Sequence, residues 1–392
     1  MIQFEEALNI VLGKTVPVSS EIVEMTESAG RILATDVVSD INIPPFDKSA
    51  MDGYACRRAD LGNELKVQEI IAAGQVPQFI IGPGECSKIM TGAMMPEGAD
   101  CVIIVEHTRE TAKGLIEFTA AKTTDNICFK GEDVKKGELV LPAGLLIRPQ
   151  HIAVMASVGC TNPLVSRKVR VGILSTGDEL VEPDIIPDTV KIRNSNAWQL
   201  MAQAKAMNVE PFYFGIAPDE EKQTLALIRK AMASCDVILL TGGVSMGDYD
   251  FVPSVLKEAG FSFHFKSLAM QPGRPTLFGS NPEGKICFGL PGNPVSSFNQ
   301  FELLVKPLLY KMMGHHYQPV ILRLPLAVDY KRKKSERLSF IPVHLVAQSE
   351  IQPVDYHGSA HINALSGAYG LMSVPIGTTE IRKGEFADVR PV

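Results

Sequence analysis

The stretch Leu239–Asp250, LLTGGVSMGDYD, holds the densest set of chemically suggestive residues in the chain. An apolar run, Val237–Leu240, stops abruptly at Thr241, Gly242 and Gly243. Ser245 and Gly247 keep the loop small, and Asp248 and Asp250 follow. A buried strand that ends this way offers backbone amides without side-chain cover, so an anion can come close. Carboxylates beside such amides suit a hard divalent cation. The structural alternative is a tight strand-to-helix turn with solvated acids.

Three further apolar strands end in the same chemistry. Val169–Ser175 runs into Thr176-Gly177-Asp178-Glu179, and Val209–Ile216 into Ala217-Pro218-Asp219. Ile286–Leu290 runs into Pro291-Gly292-Asn293-Pro294 and opens a helix. In an open α/β sheet, ligands bind outside the carboxyl ends of the strands, and helix N-termini favour anions. Acids beside a phosphate cradle imply Mg²⁺, because bare carboxylates repel phosphate. Each acid alone reads equally well as a loop residue or an N-cap. Their recurrence along one sheet edge favours function.

A second cluster is PPFDKSAMDGYA at Pro44–Ala55, with Asp47, Lys48, Ser49 and Asp52 between stiff flanks. It reads as a site or as a hinge. MTGA at Met90–Ala93 and KGED at Lys130–Asp133 add Thr91, Glu132 and Asp133. Lys48, Lys191, Arg193, Lys266 and Arg274 are the cations that could meet an anion. Gln271-Pro272-Gly273-Arg274-Pro275 is stiff enough to aim Arg274, whose guanidinium suits bidentate oxyanion binding. The basic run Tyr330–Lys334 reads as a solvated strand end.

The elements that position these residues follow from periodicity. Phe4, Leu8 and Val11 recur at helical spacing, as do Ile22, Met25 and Ala29. Residues 1–44 therefore read as the first part of a helical linker domain. Residues 45–135 alternate short β-like runs with Gly/Pro turns, a β-rich insertion domain. Residues 136–167 return to the linker domain, with a helix at His151–Ser157. From 168 to 315, strands and helices alternate: a doubly wound α/β domain with a largely parallel sheet, ending in a long helix Pro294–Met313. Residues 316–392 are β again and suggest a C-terminal β-barrel.

Composition sets the outer bounds. The 392 residues carry a formal net charge of -6, with 45% hydrophobic and 21% charged residues. A nucleic-acid protein with a broad basic face is excluded on that balance. The seven cysteines (Cys56, Cys86, Cys101, Cys128, Cys160, Cys235 and Cys287) show no zinc spacing and read as reduced thiols. The N-terminus MIQFEEALNIVLGK is not a signal peptide, so the expected location is cytoplasmic.

Together the motifs resemble one family, the MoeA-type molybdopterin molybdenumtransferases, whose fold also forms the gephyrin E domain. The matching pieces include PPFDKSAMDGYA, IMTGAMMPEGAD at Ile89–Asp100, KGEDV, STGDEL at Ser175–Leu180, TGGVSMGDYDFV at Thr241–Val252, LPGNPVS and HGSAHI at His357–Ile362. The resemblance implies insertion of molybdate into adenylylated molybdopterin, with Mg²⁺ present and AMP released. It implies catalytic roles for Asp52, Thr91, Asp133, Glu179, Asp219 and Asp250. Asp178, Asp219 and Asp250 become the expected metal ligands. Ser175, Thr176, Gly177, Gly242, Gly243, Ser245, Gly247, Arg274, Pro291, Gly292, Asn293, Pro294, Arg337 and Ser359 become the expected ligand-binding residues. It further implies a homodimer with clefts lined by both subunits, and admits a molybdopterin adenylyltransferase as partner. Departures from the family pattern are Ser267 and Gln271 where lysine is common, and Cys128 where arginine is common. The alternatives are the adenylyltransferase itself and a non-catalytic, gephyrin-like scaffold.

Overall fold

The computed structural model describes residues 1–243, 251–346 and 349–392. Ser245, Gly247, Asp248 and Asp250 therefore lie outside the described residues.

The α/β unit is built on a six-stranded sheet. Its strand order is Glu210–Ala217, Arg170–Thr176, Val237–Thr241, Ile286–Leu290, Leu277–Ser280 and Ser262–Phe265. The first four strands pair in parallel, and the last two pairings, through Leu277–Ser280, are antiparallel. Alternation along the strands fills both faces. Val171, Ile173, Val237, Leu239 and Phe288 pack with helix Ser195–Ala206 and with the helical run that follows Pro294. Leu174, Ile238, Leu240 and Cys287 pack with helices Glu221–Ser234 and Val252–Glu258. Two apolar faces are what a doubly wound sheet requires.

The N-terminal helix Phe4–Gly13 buries Phe4, Ala7 and Val11 in the first of these cores. Each large side chain so buried contributes about 1.5–3 kcal/mol. The spacing of Ile22, Met25 and Ala29 misleads, however. Ser20–Ile22 is a strand paired with Leu164–Ser166, and Met25–Glu27 is a single 3₁₀ turn. Two turns of helical spacing are a weak signal, and a cross-chain pairing overrides it. The long helix Pro294–Met313 also differs in detail. It runs as Pro294–Gln300, a π segment Phe301–Val305, then Lys306–Met312. Pro307 has no N–H to continue the regular ladder, which favours such a local rewinding.

The insertion sheet orders Cys101–Ile104, Gly53–Cys56, Glu85–Ile89, Leu65–Ile71, Leu115–Phe118 and Thr108–Ala112. The C-terminal sheet orders Met270–Gln271, Leu338–Leu345, Gly370–Val374, Phe386–Pro391 and Leu322–Pro325. A sixth strand, Ile351–Pro353, pairs with Leu338–Leu345 and bridges to Leu326 beside the end strand Leu322–Pro325, so the sheet curls back on itself as the expected barrel does. The end strand Met270–Gln271 comes from the α/β region and pairs in parallel with Leu338–Ser339. That short pairing ties the Arg274 loop to the C-terminal sheet.

Candidate functional site

Parallel register places four loops in one row. Thr176 lies opposite Ala217, Ser175 opposite Thr241, and Thr241 opposite Leu290. The loops that begin at Gly177, Pro218, Gly242 and Pro291 therefore leave the sheet side by side. Glycine is favoured at two of these exits. Gly242 has φ +89°, and a Cβ there would sit 2.5 Å from the Thr176 carbonyl oxygen. Gly177 has φ +138° and lies under the Glu179 carboxylate, 2.3 Å from where its Cβ would be. The Thr176 carbonyl bars a side chain at 242, and the positive φ disfavours one at 177, where the exposed Glu179 carboxylate can move aside.

The acids of this edge hold one another's backbone. Asp178 N–H donates to Asp219 Oδ2 at 3.3 Å, and Asp219 N–H donates to Asp178 Oδ1 at 3.1 Å. Each carboxylate keeps one oxygen outside this exchange. Both acids are exposed, and the Lys191 ammonium donates to the Asp178 carbonyl. Among the described residues, no cluster of three His, Cys, Asp or Glu is placed to hold a metal ion by itself.

A cavity of about 280 Å³ opens beside this row, lined by Thr176, Glu179, Arg193, Asn196, Gly242 and Gly292 among others. The C-terminal unit closes one side with Ala360 and Ile362. The clasp is specific: Asn293 Nδ2 donates to Ser359 Oγ at 2.9 Å, and Val295 N–H donates to the Ser359 carbonyl at 3.0 Å. Asn196 Nδ2 donates to the Gly292 carbonyl at 2.7 Å, which fixes the loop from beneath.

Arg274 is exposed on a loop that is held from below. Gln300 Nε2 donates to the Gly273 carbonyl at 3.2 Å, and Thr276 Oγ1 donates to the same oxygen at 2.8 Å. Gly273 has φ +104°, and a Cβ there would lie 2.0 Å from Gln300 Nε2. Arg337 directly precedes Leu338, the residue paired with Met270. Arg274 and Arg337 thus flank the short parallel pairing.

The insertion unit forms a separate group. Asp52 Oδ1 accepts from the Thr91 backbone N–H at 2.6 Å and from Thr91 Oγ1 at 2.9 Å. The backbone bond, then the hydroxyl bond, hold the Asp52 carboxyl below its usual range. Lys48–Ser49 pairs with Ile127–Cys128, and Asp133 N–H donates to the Ile43 carbonyl at the base of the same corner. No residue of 45–135 lines the strand-edge cavity. Within one chain, Asp52 and Thr91 are thus held together, Asp133 is tied to the Ile43 carbonyl instead, and none of the three lines the strand-edge cavity.

Similarity to known proteins follows the same division. The MoeA N-terminal region (domain I and II) matches residues 2–159, the "Probable molybdopterin binding domain" matches 172–311, and the MoeA C-terminal region (domain IV) matches 323–392. A molybdopterin molybdenumtransferase of Staphylococcus epidermidis is 33% identical over 99% of this chain and 95% of its own length. This chain belongs to the MoeA-type molybdopterin molybdenumtransferase family. A Nostoc molybdopterin molybdenumtransferase is 35% identical over 93% of this chain and 87% of its own. The crystal structure of the molybdopterin biosynthesis MoeA protein from Pyrococcus horikoshii superposes with a TM-score of 0.87, at 31% identity over the whole of both chains.

Against that family pattern, sequence reasoning missed a polar chain under the cavity. Ser175 Oγ donates to Asn194 Oδ1, Asn194 Nδ2 donates to the Tyr213 hydroxyl, and Tyr213 donates to Glu182 Oε1, at 2.9, 2.9 and 2.6 Å. The Asn194 side chain also caps helix Ser195–Ala206 through Ala197 N–H. The readable signal was the N-cap asparagine ahead of a helical run. Arg332 is a correction. It was read with the solvated run Tyr330–Lys334, but it is half-buried and donates to the Thr378, Pro375 and Arg337 carbonyls and to Ser339 Oγ. Two of its acceptors, the Thr378 and Pro375 carbonyls, come from 46 and 43 residues away, beyond the reach of local composition.

Proposed function

We propose that this chain inserts molybdate into adenylylated molybdopterin and releases AMP, with Mg²⁺ assistance, as a cytoplasmic homodimer. One observation carries the reading above the others: parallel register sets four loops, three with glycine and three with acids in their sequence, in a single row beside a cavity closed by the C-terminal unit. Among the described residues, no helix is long and apolar enough to cross a membrane.

The residues take these roles. The backbone around Ser175, Thr176, Gly177, Gly242 and Gly243 receives phosphate, with Ser245 and Gly247 on the same loop. Pro291, Gly292, Asn293 and Pro294 form a stiff wall under the ligand. Asp178 and Asp219 fit a hard cation, since Mg²⁺ is held by one or two carboxylates together with substrate phosphates. Asp250 would complete that set. When bound there, Mg²⁺ would neutralise phosphate charge as AMP leaves. Arg274, Arg337 and Ser359 offer donors to the oxyanion near the dithiolene. Glu179, whose carboxylate lies over Gly177, would handle a proton. Asp52, Thr91 and Asp133 would reach a cleft from a second copy. A molybdopterin adenylyltransferase would be the natural supplier of substrate. Ser267, Gln271 and Cys128 leave the oxyanion side less basic than in most of the family, so the metal preference is a separate question.

The deciding experiment incubates the protein with adenylylated molybdopterin, Mg²⁺, and molybdate or tungstate, and reads AMP and active cofactor. Oxyanion-dependent AMP release is expected. AMP release that ignores the oxyanion would sink the reading.

A further inference from the structure

A second cavity, of about 510 Å³, lies where the segment around Arg148, the helix Lys306–Met312 and the C-terminal strand Phe386–Pro391 meet. No loop of the strand-end row lines it. Its volume falls within the roughly 300–1,000 Å³ typical of small-molecule sites. Its chemistry is unusual for a plain crevice between elements. Three cations line it: Arg148, Lys306 and Arg390. Lys306 is neutralised by Glu302, at 2.8 Å. Among the described residues, the Arg148 and Arg390 guanidinium groups make no ion pair and donate no side-chain hydrogen bond.

Arg390 is the more telling of the two. It is half-buried, and its guanidinium lies 5.7 Å from the Phe4 ring centre and 5.6 Å from that of Phe340. Burial holds it below the usual arginine range. Aromatic faces stabilise a cation but accept none of its five N–H groups in the fork that suits an oxyanion. Glu5 attracts this half-buried cation through space but makes no hydrogen bond to it, so its donors remain open to an anion.

The same cavity has a flat aromatic wall. Tyr310 and Tyr317 stack at 4.9 Å with rings 15° apart, and Tyr369 lines the same cavity. The hydroxyls of all three lack a hydrogen bond among the described residues. Two unanswered guanidinium groups match the two charges of a phosphate monoester, and the tyrosine pair matches a flat ring.

We propose that this cavity binds a small aryl or nucleoside monophosphate, with the phosphate on Arg148 and Arg390 and the ring against the Tyr310–Tyr317 stack. The site is independent of the strand-end row and of the reading given to it.

Calorimetric titration of the whole protein with phenyl phosphate, AMP and inorganic phosphate tests this. Saturable binding of phenyl phosphate or AMP is expected, with inorganic phosphate at least about tenfold weaker for want of a ring. Arg148→Ala, an exposed position, and Arg390→Lys, which keeps charge and packing, should each weaken it roughly tenfold. Photolabelling with 8-azido-AMP should mark peptides holding Tyr310, Tyr317 or Tyr369, unchanged by Asp219→Asn. The proposal is overturned by any of four results. These are no binding of either organic probe, equal affinity for inorganic phosphate, indifference to both arginine variants, or label confined to the strand-end loops.

Discussion

The strand-end row and the Asp52 corner both present acids, but they hold them by different means. Asp178 and Asp219 sit 41 residues apart in sequence and exchange backbone hydrogen bonds, because two parallel strands deliver them together. Their placement belongs to the sheet. Asp52 is held by one residue, Thr91, through two bonds to the same oxygen. The pairing of Gly53 with Ile89 brings that residue near, but the Asp52 side chain depends on this one neighbour alone. A site set by a sheet keeps its geometry when one side chain changes, so a lost charge is felt as chemistry. A site set by one contact loses geometry and charge together.

The largest test of that contrast is Asp219→Asn. The fold should survive, with unchanged circular dichroism, while AMP release falls by well over tenfold. Loss of one charge-stabilising contact commonly costs about 2.7–4 kcal/mol. Unaltered turnover would remove Asp219 from the site.

Next in size is complementation between the two regions. If a second copy brings Asp52 to the row, mixing inactive Asp52→Ala and Asp219→Ala proteins should restore part of the activity after subunit exchange. Verified exchange with no recovery would show that each region acts within its own chain.

A smaller effect is expected beneath Arg274. Gly273→Ala places a Cβ against Gln300 Nε2 at a left-handed φ. Strain of about 1–3 kcal/mol should lower the melting temperature. The KM for molybdate should rise more than kcat falls, because the loop aims a binding group. An unshifted melting temperature would mean that the loop relaxes without strain.

The smallest effect concerns Asp52 itself. Its carboxyl is depressed, so what it adds to the folded state is present above the unfolded pKa and is lost as pH falls through the folded one. Thr91→Val removes the hydroxyl bond. It should move the Asp52 titration upward in an NMR pH series and shrink the acid-side dependence of the insertion unit. A titration that stays put would leave the backbone bond from Thr91 as the sole cause.

Legibility from sequence followed range of interaction. The glycine-acid loops after apolar strands were readable because strand ends and turns are local. So was the α/β alternation, since 2.0 and 3.6 periods appear within single windows. Arg332 and the chain Ser175–Asn194–Tyr213–Glu182 were not readable, because their partners arrive from distant strands. Ile22 was misread because strand pairing with Leu164 outweighs its helical spacing.

By itself, then, the sequence determined which residues can bind phosphate, cation or oxyanion, and the order of the units that carry them. Glycine at 177, 242 and 273 and acids at 178, 179 and 219 are covalent facts. The tertiary structure alone decided which of these meet. Parallel register set Thr176, Ala217, Thr241 and Leu290 in one row, and the pairing of Met270–Gln271 with Leu338–Ser339 joined the Arg274 loop to the strand that follows Arg337. It also left Arg390 in a second cavity, beside the contacting rings of Phe4 and Phe340. Local rules fix what a residue can do, whereas long-range packing fixes what it stands beside.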